Sequence, residues 1–119
     1  MPTASLVLPN KNNDRVLDLF FETLSRNTRG GDFEVIAVDD GSTDRSREIL
    51  QRWERSGRFD AFSVIEKPPT GIVETLNVAL AAASGDVIVR LDGDATIETP
   101  GWLEAVTGFW EGKNNSGQR

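Results

Sequence analysis

The sequence contains no cysteine and no histidine. Without cysteine there is no disulfide framework, no thiolate metal site and no cysteine nucleophile. Without histidine the commonest general base and metal ligand is gone, so acid–base chemistry falls to carboxylates or to groups on a substrate. Positive charge is scarce: 13 Lys and Arg stand against 19 Asp and Glu, a net charge of −6. Nucleic acid is therefore excluded as a partner, because phosphate neutralisation requires a basic surface. Long apolar runs are also missing. None approaches the roughly 18 residues that span a bilayer, and Met1-Pro2-Thr3 starts no signal peptide, so the expectation is a soluble, cytoplasmic protein with no transmembrane segment.

What remains is enough for one domain with a modest core: 119 residues, 38% hydrophobic and 27% charged. Ala4 to Leu8 reads as a buried strand stopped by Pro9-Asn10, and Val16, Leu17, Phe20, Phe21 and Leu24 recur at helical spacing over about Asp14 to Arg26. After a turn at Thr28 to Asp32, Phe33 to Val38 is a second strand. Gly41-Ser42-Thr43-Asp44 then offers a glycine turn, an N-cap hydroxyl and a first-turn acid for a helix to about Ser56, with Ile49, Leu50 and Trp53 inward. Phe62 to Ile65 is a short third strand, and Lys67 to Gly71 a loop, since two prolines cannot sit in a sheet ladder. Val73, Leu76, Leu80 and Ala83 mark the inner face of a third helix ending at Ser84-Gly85. Val87 to Leu91 is a fourth, buried strand. Thr99-Pro100 supplies the N-cap and first turn of a last helix lined by Leu103, Val106 and Trp110. Residues 1–111 form the domain, and the polar stretch 112–119 is expected to be a disordered tail. Strand and helix alternate throughout, which predicts an α/β fold: a mostly parallel sheet with right-handed crossovers and helices on both faces.

Two strands in this order end in acids. Asp39-Asp40 closes the second, and Asp92-Gly93-Asp94 follows the fourth. Ligands bind at the carboxyl edge of such sheets. Turn chemistry accounts for Gly41, Ser42 and Asp44, but adjacent carboxylates repel unless a ligand or donor compensates. Asp92 and Asp94 are hard oxygen ligands suited to Mn2+ or Mg2+, ions that commonly also hold substrate phosphates. A D-x-D triplet alone is a weak signal, being also an ordinary acidic turn. Its place after an apolar run raises its weight, with Gly93 removing bulk between the carboxylates and Glu98 adding charge. The loop Lys67 to Gly71 leads into a helix N-terminus but matches neither the G-x-G-x-x-G nor the G-x-x-x-x-G-K-[ST] phosphate loop. The tryptophans read as packing residues, with Trp102 near enough to the triplet to serve as a sugar platform.

Taken in order, these segments resemble the nucleotide-sugar-binding half of a family 2 glycosyltransferase, an inverting family with the GT-A (nucleotide-diphospho-sugar transferase) fold. Leu6 to Asn12 resembles the opening strand and its proline turn. Phe33 to Asp44 is similar to the second-strand signature, Gly71 through Asn77 with Ala79 and Ser84-Gly85-Asp86 to the third helix and its exit. Leu91-Asp92-Gly93-Asp94 stands at the D-x-D position, followed by Pro100-Gly101-Trp102-Leu103. The likeness covers about residues 4 to 110. It implies a nucleotide-sugar donor, typically a UDP-sugar, held by Pro9, Asn10, Asp39, Asp40, Gly71, Asp92 and Gly93. Pro9 and its neighbours would face the base, and Asp40 would accept a hydrogen bond from it with Asp39 supporting the turn. Asp92 would meet the ribose or diphosphate, and Asp94, with Asp92, would hold Mn2+ or Mg2+. Such an ion stabilises the departing nucleoside diphosphate.

Family members continue past the D-x-D into an acceptor-binding half that carries the general base. Here the fold is expected to be truncated after the D-x-D strand, the base not encoded, the acceptor unknown, and catalysis by these residues alone incomplete. The fourth strand, internal in the family, would be left as an exposed sheet edge and favour a homo-oligomer. Two other classes share features. A receiver domain has acids at strand ends but needs a lysine after a later strand, and Lys113 lies after a helix. A non-catalytic nucleotide-binding or assembly module would bind donor without transfer.

Overall fold

The computed structural model describes residues 3–28 and 32–115, with side chains described as far as residue 108. Four strands and four helices alternate: β1 (Ala4–Asn10), α1 (Leu17–Asn27), β2 (Phe33–Asp40), α2 (Ser46–Ser56), β3 (Phe62–Lys67), α3 (Ile72–Ala82), β4 (Val87–Arg90) and α4 (Trp102–Asn115). All strand pairs are parallel, in the order β3-β2-β1-β4. Among the described residues β4 is thus an edge strand.

The central strands are apolar on both faces because both faces are covered. Leu6, Leu8, Val35 and Ala37 face one layer, with Leu17, Phe20, Phe21 and Leu24 of α1, Leu50 and Trp53 of α2, and Leu103 of α4. Val7, Ile36 and Val38 face the other, where Ala79 of α3 packs. Phe21, Trp53, Phe59 and Phe62 cluster with ring centroids 5.3–6.2 Å apart, the separation that tilted and edge-on aromatic pairs favour.

Several local expectations are corrected. Pro9 does not stop β1: it pairs with Val38, and Asn10 with Asp39. The Val7 carbonyl accepts from Leu91 N–H on the β4 side (2.9 Å). Residues two apart present their backbone to the same neighbour, so the N–H that proline lacks points beyond the last paired residue of β4. β3 likewise runs two residues further than expected, bringing Glu66 opposite Asp39 and Lys67 opposite Asp40. β4 is only half-buried, with Ile88 44% exposed, because α3 covers β1 and β2 but not the edge. On α3 the inward residues are Thr75 and Ala79, whereas Val73 and Leu80 are exposed. Small side chains face the sheet there and let the helix sit close. α1 and α2 begin later than expected, at Leu17 and Ser46, since the segments before them are bonded to one another. α4 begins at Trp102, after a turn in which Gly101 adopts φ 76°. It continues through Asn115, so residues 112–115 are helical: propagation adds residues at little cost once a turn is nucleated. Residues 116–119 and the side chain of Trp110 lie outside the described residues, as does most of the turn before β2.

Candidate functional site

Parallel strands end their pairing at one edge, and this edge collects the predicted residues. β2 delivers Asp39 and Asp40 side by side, but their side chains alternate to opposite faces. Asp39 is fully buried. Its carboxylate accepts from Asn10 Nδ2 (3.1 Å), Ser42 Oγ (2.6 Å) and the Ser42 N–H (2.9 Å), with Arg47 Nε at 3.8 Å. Ser42 therefore does not cap α2; its hydroxyl is used on Asp39. The segment after β1 is tied to the same turn. Asn12 Oδ1 accepts from the Thr43 N–H, Asn12 N–H donates to Ser42 Oγ, and Asp14 N–H and Ser46 N–H both donate to the Asp44 carboxylate. The two loops are one hydrogen-bonded unit.

Asp40, 5% exposed, faces the other way. Oδ1 accepts from Lys67 Nζ (2.6 Å) and the Thr70 N–H (2.9 Å), and Oδ2 from the Gly71 N–H (3.1 Å). The Lys67 hydrogen bond, followed by these amides, holds the Asp40 carboxyl far below the usual carboxylate range despite burial. Lys67 Nζ also reaches the Pro68 carbonyl (2.9 Å), Thr70 Oγ1 (2.5 Å) and Thr75 Oγ1 (3.3 Å). Gly41 makes room for this loop: it takes φ 67°, and a Cβ there would stand 2.4 Å from Pro69 Cδ. A carboxylate has about four acceptor positions, so Asp40 keeps one for a ligand. It lines a cavity of about 250 Å³ with Pro9, Asn10, Lys11, Gly71, Ile72 and Thr75. Four residues predicted from sequence thus share one cavity.

Asp92 and Asp94 are elsewhere on the edge, and both are exposed. Asp92 has one distant ion pair, Arg90 at 3.7 Å; Asp94 lines a separate cavity with Asn12, Asn13, Arg15 and Val16. Gly93 is buried between them, where a Cβ would meet Leu17 Cδ2 at 3.0 Å. The core, rather than the spacing of carboxylates, requires glycine there. Among the described residues no group of three or more acidic, histidine or cysteine side chains forms a metal cage. The two carboxylates fit Mn2+ or Mg2+ as part of a shell, since Mg2+ is usually held by one or two carboxylates with waters and substrate phosphates. Glu98 does not join them: it bonds Thr96 Oγ1 (2.7 Å) and borders a groove with Leu19, Thr23, Arg26 and Asn27. Trp102 packs against the core, and its indole N–H donates to Thr28 Oγ1 (2.8 Å) past the far end of α1, away from the triplet.

Lys67, Thr75, Lys11 and Ile72 were not singled out in the sequence. Lys67 could have been found by extending β3 two residues, which puts a cation opposite Asp40.

The profile of the family described as Glycosyl transferase family 2 matches residues 5–117. An uncharacterized glycosyltransferase of Nostoc sp. is 32% identical over 90 residues, 76% of this chain and 27% of that protein. S. aureus TarS, solved in complex with UDP-GlcNAc, superposes with a TM-score of 0.81 at 24% identity, covering 92% of this chain and 31% of that one. The mannosyltransferase PcManGT of Pyrobaculum calidifontis, solved with GDP-Man and Mn2+, gives 0.81 at 27% identity, covering 89% and 32%. The chain therefore spans about a third or less of these proteins, and the two solved structures share its α/β GT-A architecture. By its matched profile, its strand order and its acid-bearing sheet edge, this chain belongs to glycosyl transferase family 2.

Proposed function

We propose that this chain binds a nucleoside-diphosphate sugar, a UDP-sugar in the first instance, for transfer to an acceptor with inversion. The observation that carries this reading is the cavity that brings Pro9, Asn10, Asp40 and Gly71 together, with Asp92 and Asp94 further along the same edge. The base enters the cavity, Asp40 accepts from a base N–H at its remaining position, and Asp39 holds the turn that aims it. The diphosphate then extends over the end of β1 towards Asp92 and Asp94, which would hold Mn2+ or Mg2+. When bound, that ion neutralises the diphosphate as it leaves. The complexes of TarS with UDP-GlcNAc and of PcManGT with GDP-Man and Mn2+ support this class of donor.

We place the general base that activates the acceptor outside residues 1–119. The buried acids of this site are taken up by Lys67, Ser42 and backbone donors, and the two exposed ones are assigned to the ion. Binding without turnover is the expected behaviour of the isolated chain. Titration of UDP-sugars and GDP-sugars in the presence of Mn2+, followed by assay for released sugar, tests this. Tighter binding of UDP-sugars with no measurable hydrolysis is the expected result. Failure of every nucleotide sugar to bind would overturn the reading, and robust turnover would overturn the placement of the base.

A further inference from the structure

The two acid-bearing regions leave a problem for an anionic ligand. A diphosphate running from the Asp40 cavity to Asp92 and Asp94 crosses an edge of a chain with net charge −6. Most cations nearby are already engaged: Lys67 with Asp40, Arg47 with Asp39 and Glu66, and Arg90 with Asp92. Lys11 is exposed, lines the Asp40 cavity, and makes no ion pair or side-chain hydrogen bond among the described residues. It is the first residue beyond β1, and the sheet order β3-β2-β1-β4 sets β1 between the strand that ends in Asp40 and the strand that leads to Asp92. A ligand spanning both ends must pass the end of β1.

We infer that Lys11 is a specificity-determining residue that binds the diphosphate of the donor, an inference that rests on the donor-binding reading above. Its ammonium is a point charge on a flexible four-carbon stem, suited to follow a phosphate rather than to fix a planar group. It adds, from the protein side, a positive charge between the base cavity and the carboxylates. A neutral nucleoside gains nothing from that charge, so Lys11 discriminates nucleotide from nucleoside. The plain alternative is a solvated surface lysine whose stem merely borders the cavity.

Calorimetric titration of UDP and of uridine, both with Mn2+, into the wild type, Lys11→Met, Lys11→Arg and the charge-matched control Arg55→Met separates these. Methionine keeps most of the stem and removes the charge. Lys11→Met should weaken UDP about tenfold or more, the lower end of the scale of one charge-assisted hydrogen bond, and leave uridine unchanged. Lys11→Arg should restore UDP to within about twofold, and Arg55→Met should match the wild type. If the wild type binds UDP and Lys11→Met binds it equally well, or if uridine weakens as much as UDP, the assignment of Lys11 is wrong while the donor-binding reading stands. A wild type that binds neither ligand overturns that reading and this one together.

Discussion

The carboxylates that end β2 and those after β4 look alike in sequence and differ in kind in the fold. Asp39 and Asp40 are buried and answered by the protein itself: three donor contacts within 3.1 Å converge on each. Asp92 and Asp94 are exposed, and among the described residues Asp92 has one ion pair, with Arg90 at 3.7 Å, and Asp94 has none. Adjacent acids at a strand end are therefore not in themselves a mark of ligand binding, because internal donors can offset the repulsion completely. On the proposed reading, the unanswered pair is the one that would hold a cation. The answered pair builds a wall of fixed geometry against which a ligand can be read.

Substitutions should separate the two ends. The largest expected effect is on folding at the β2 end. Asp39→Ala strands the buried Ser42 and Asn10 donors and should cost about 2–4 kcal/mol in urea denaturation. Asp92→Ala and Asp94→Ala should stay within about 0.5 kcal/mol. Equal losses at both ends would erase the distinction. Lys67→Met comes next: it leaves the Asp40 charge buried with only its backbone donors, at a cost of about 3 kcal/mol, and uridine binding should weaken with it.

Acid sharpens the contrast further. The folded Asp40 carboxyl is depressed by Lys67 and the Thr70 and Gly71 amides, whereas its unfolded value is about 3.9. A depressed folded value contributes stability in full above the unfolded one and loses it as pH falls towards the folded one. The wild-type urea midpoint should drop steeply below about pH 4, and Asp40→Asn, less stable at neutral pH, should show a flatter acid limb. An unchanged slope would mean that Asp40 does not carry this linkage. The smallest effect concerns the edge itself. Exposed strand edges template pairing, so the protein should be dimeric by light scattering, and Ile88→Lys on β4 should favour monomer while changing stability by no more than about 0.5 kcal/mol. A wild type that stays monomeric at high concentration would show that this edge does not pair.

The fold was legible because period and order agree: strand-length apolar runs alternate with helical ones, and the inward faces of α1 and α2 fall where the spacing puts them. α3 was misread because Val73 and Leu80 have the spacing of a core face, yet closeness to the sheet favours Thr75 and Ala79. Within the site, Asp40 was named by its place at a strand end and Pro9, Asn10 and Gly71 only through the family resemblance, and the fold brings all four to one cavity. Lys67 was missed because Pro68-Pro69 read as the start of a loop, and register, which is set by the neighbouring strand, carried Lys67 to Asp40. Gly93 was singled out for its spacing of two carboxylates, while the contact that requires it comes from Leu17, 76 positions earlier in the chain.

The central claim, that the β2 end reads the nucleoside while the β4 end holds its diphosphate through a divalent ion, is tested most directly by titrating UDP into wild type and Asp94→Ala with Mn2+ and again with EDTA. The prediction is that EDTA weakens UDP binding to the wild type to the level of uridine, and that Asp94→Ala binds UDP at that same weak level in both conditions. Wild-type binding of equal strength with Mn2+ and with EDTA would contradict it.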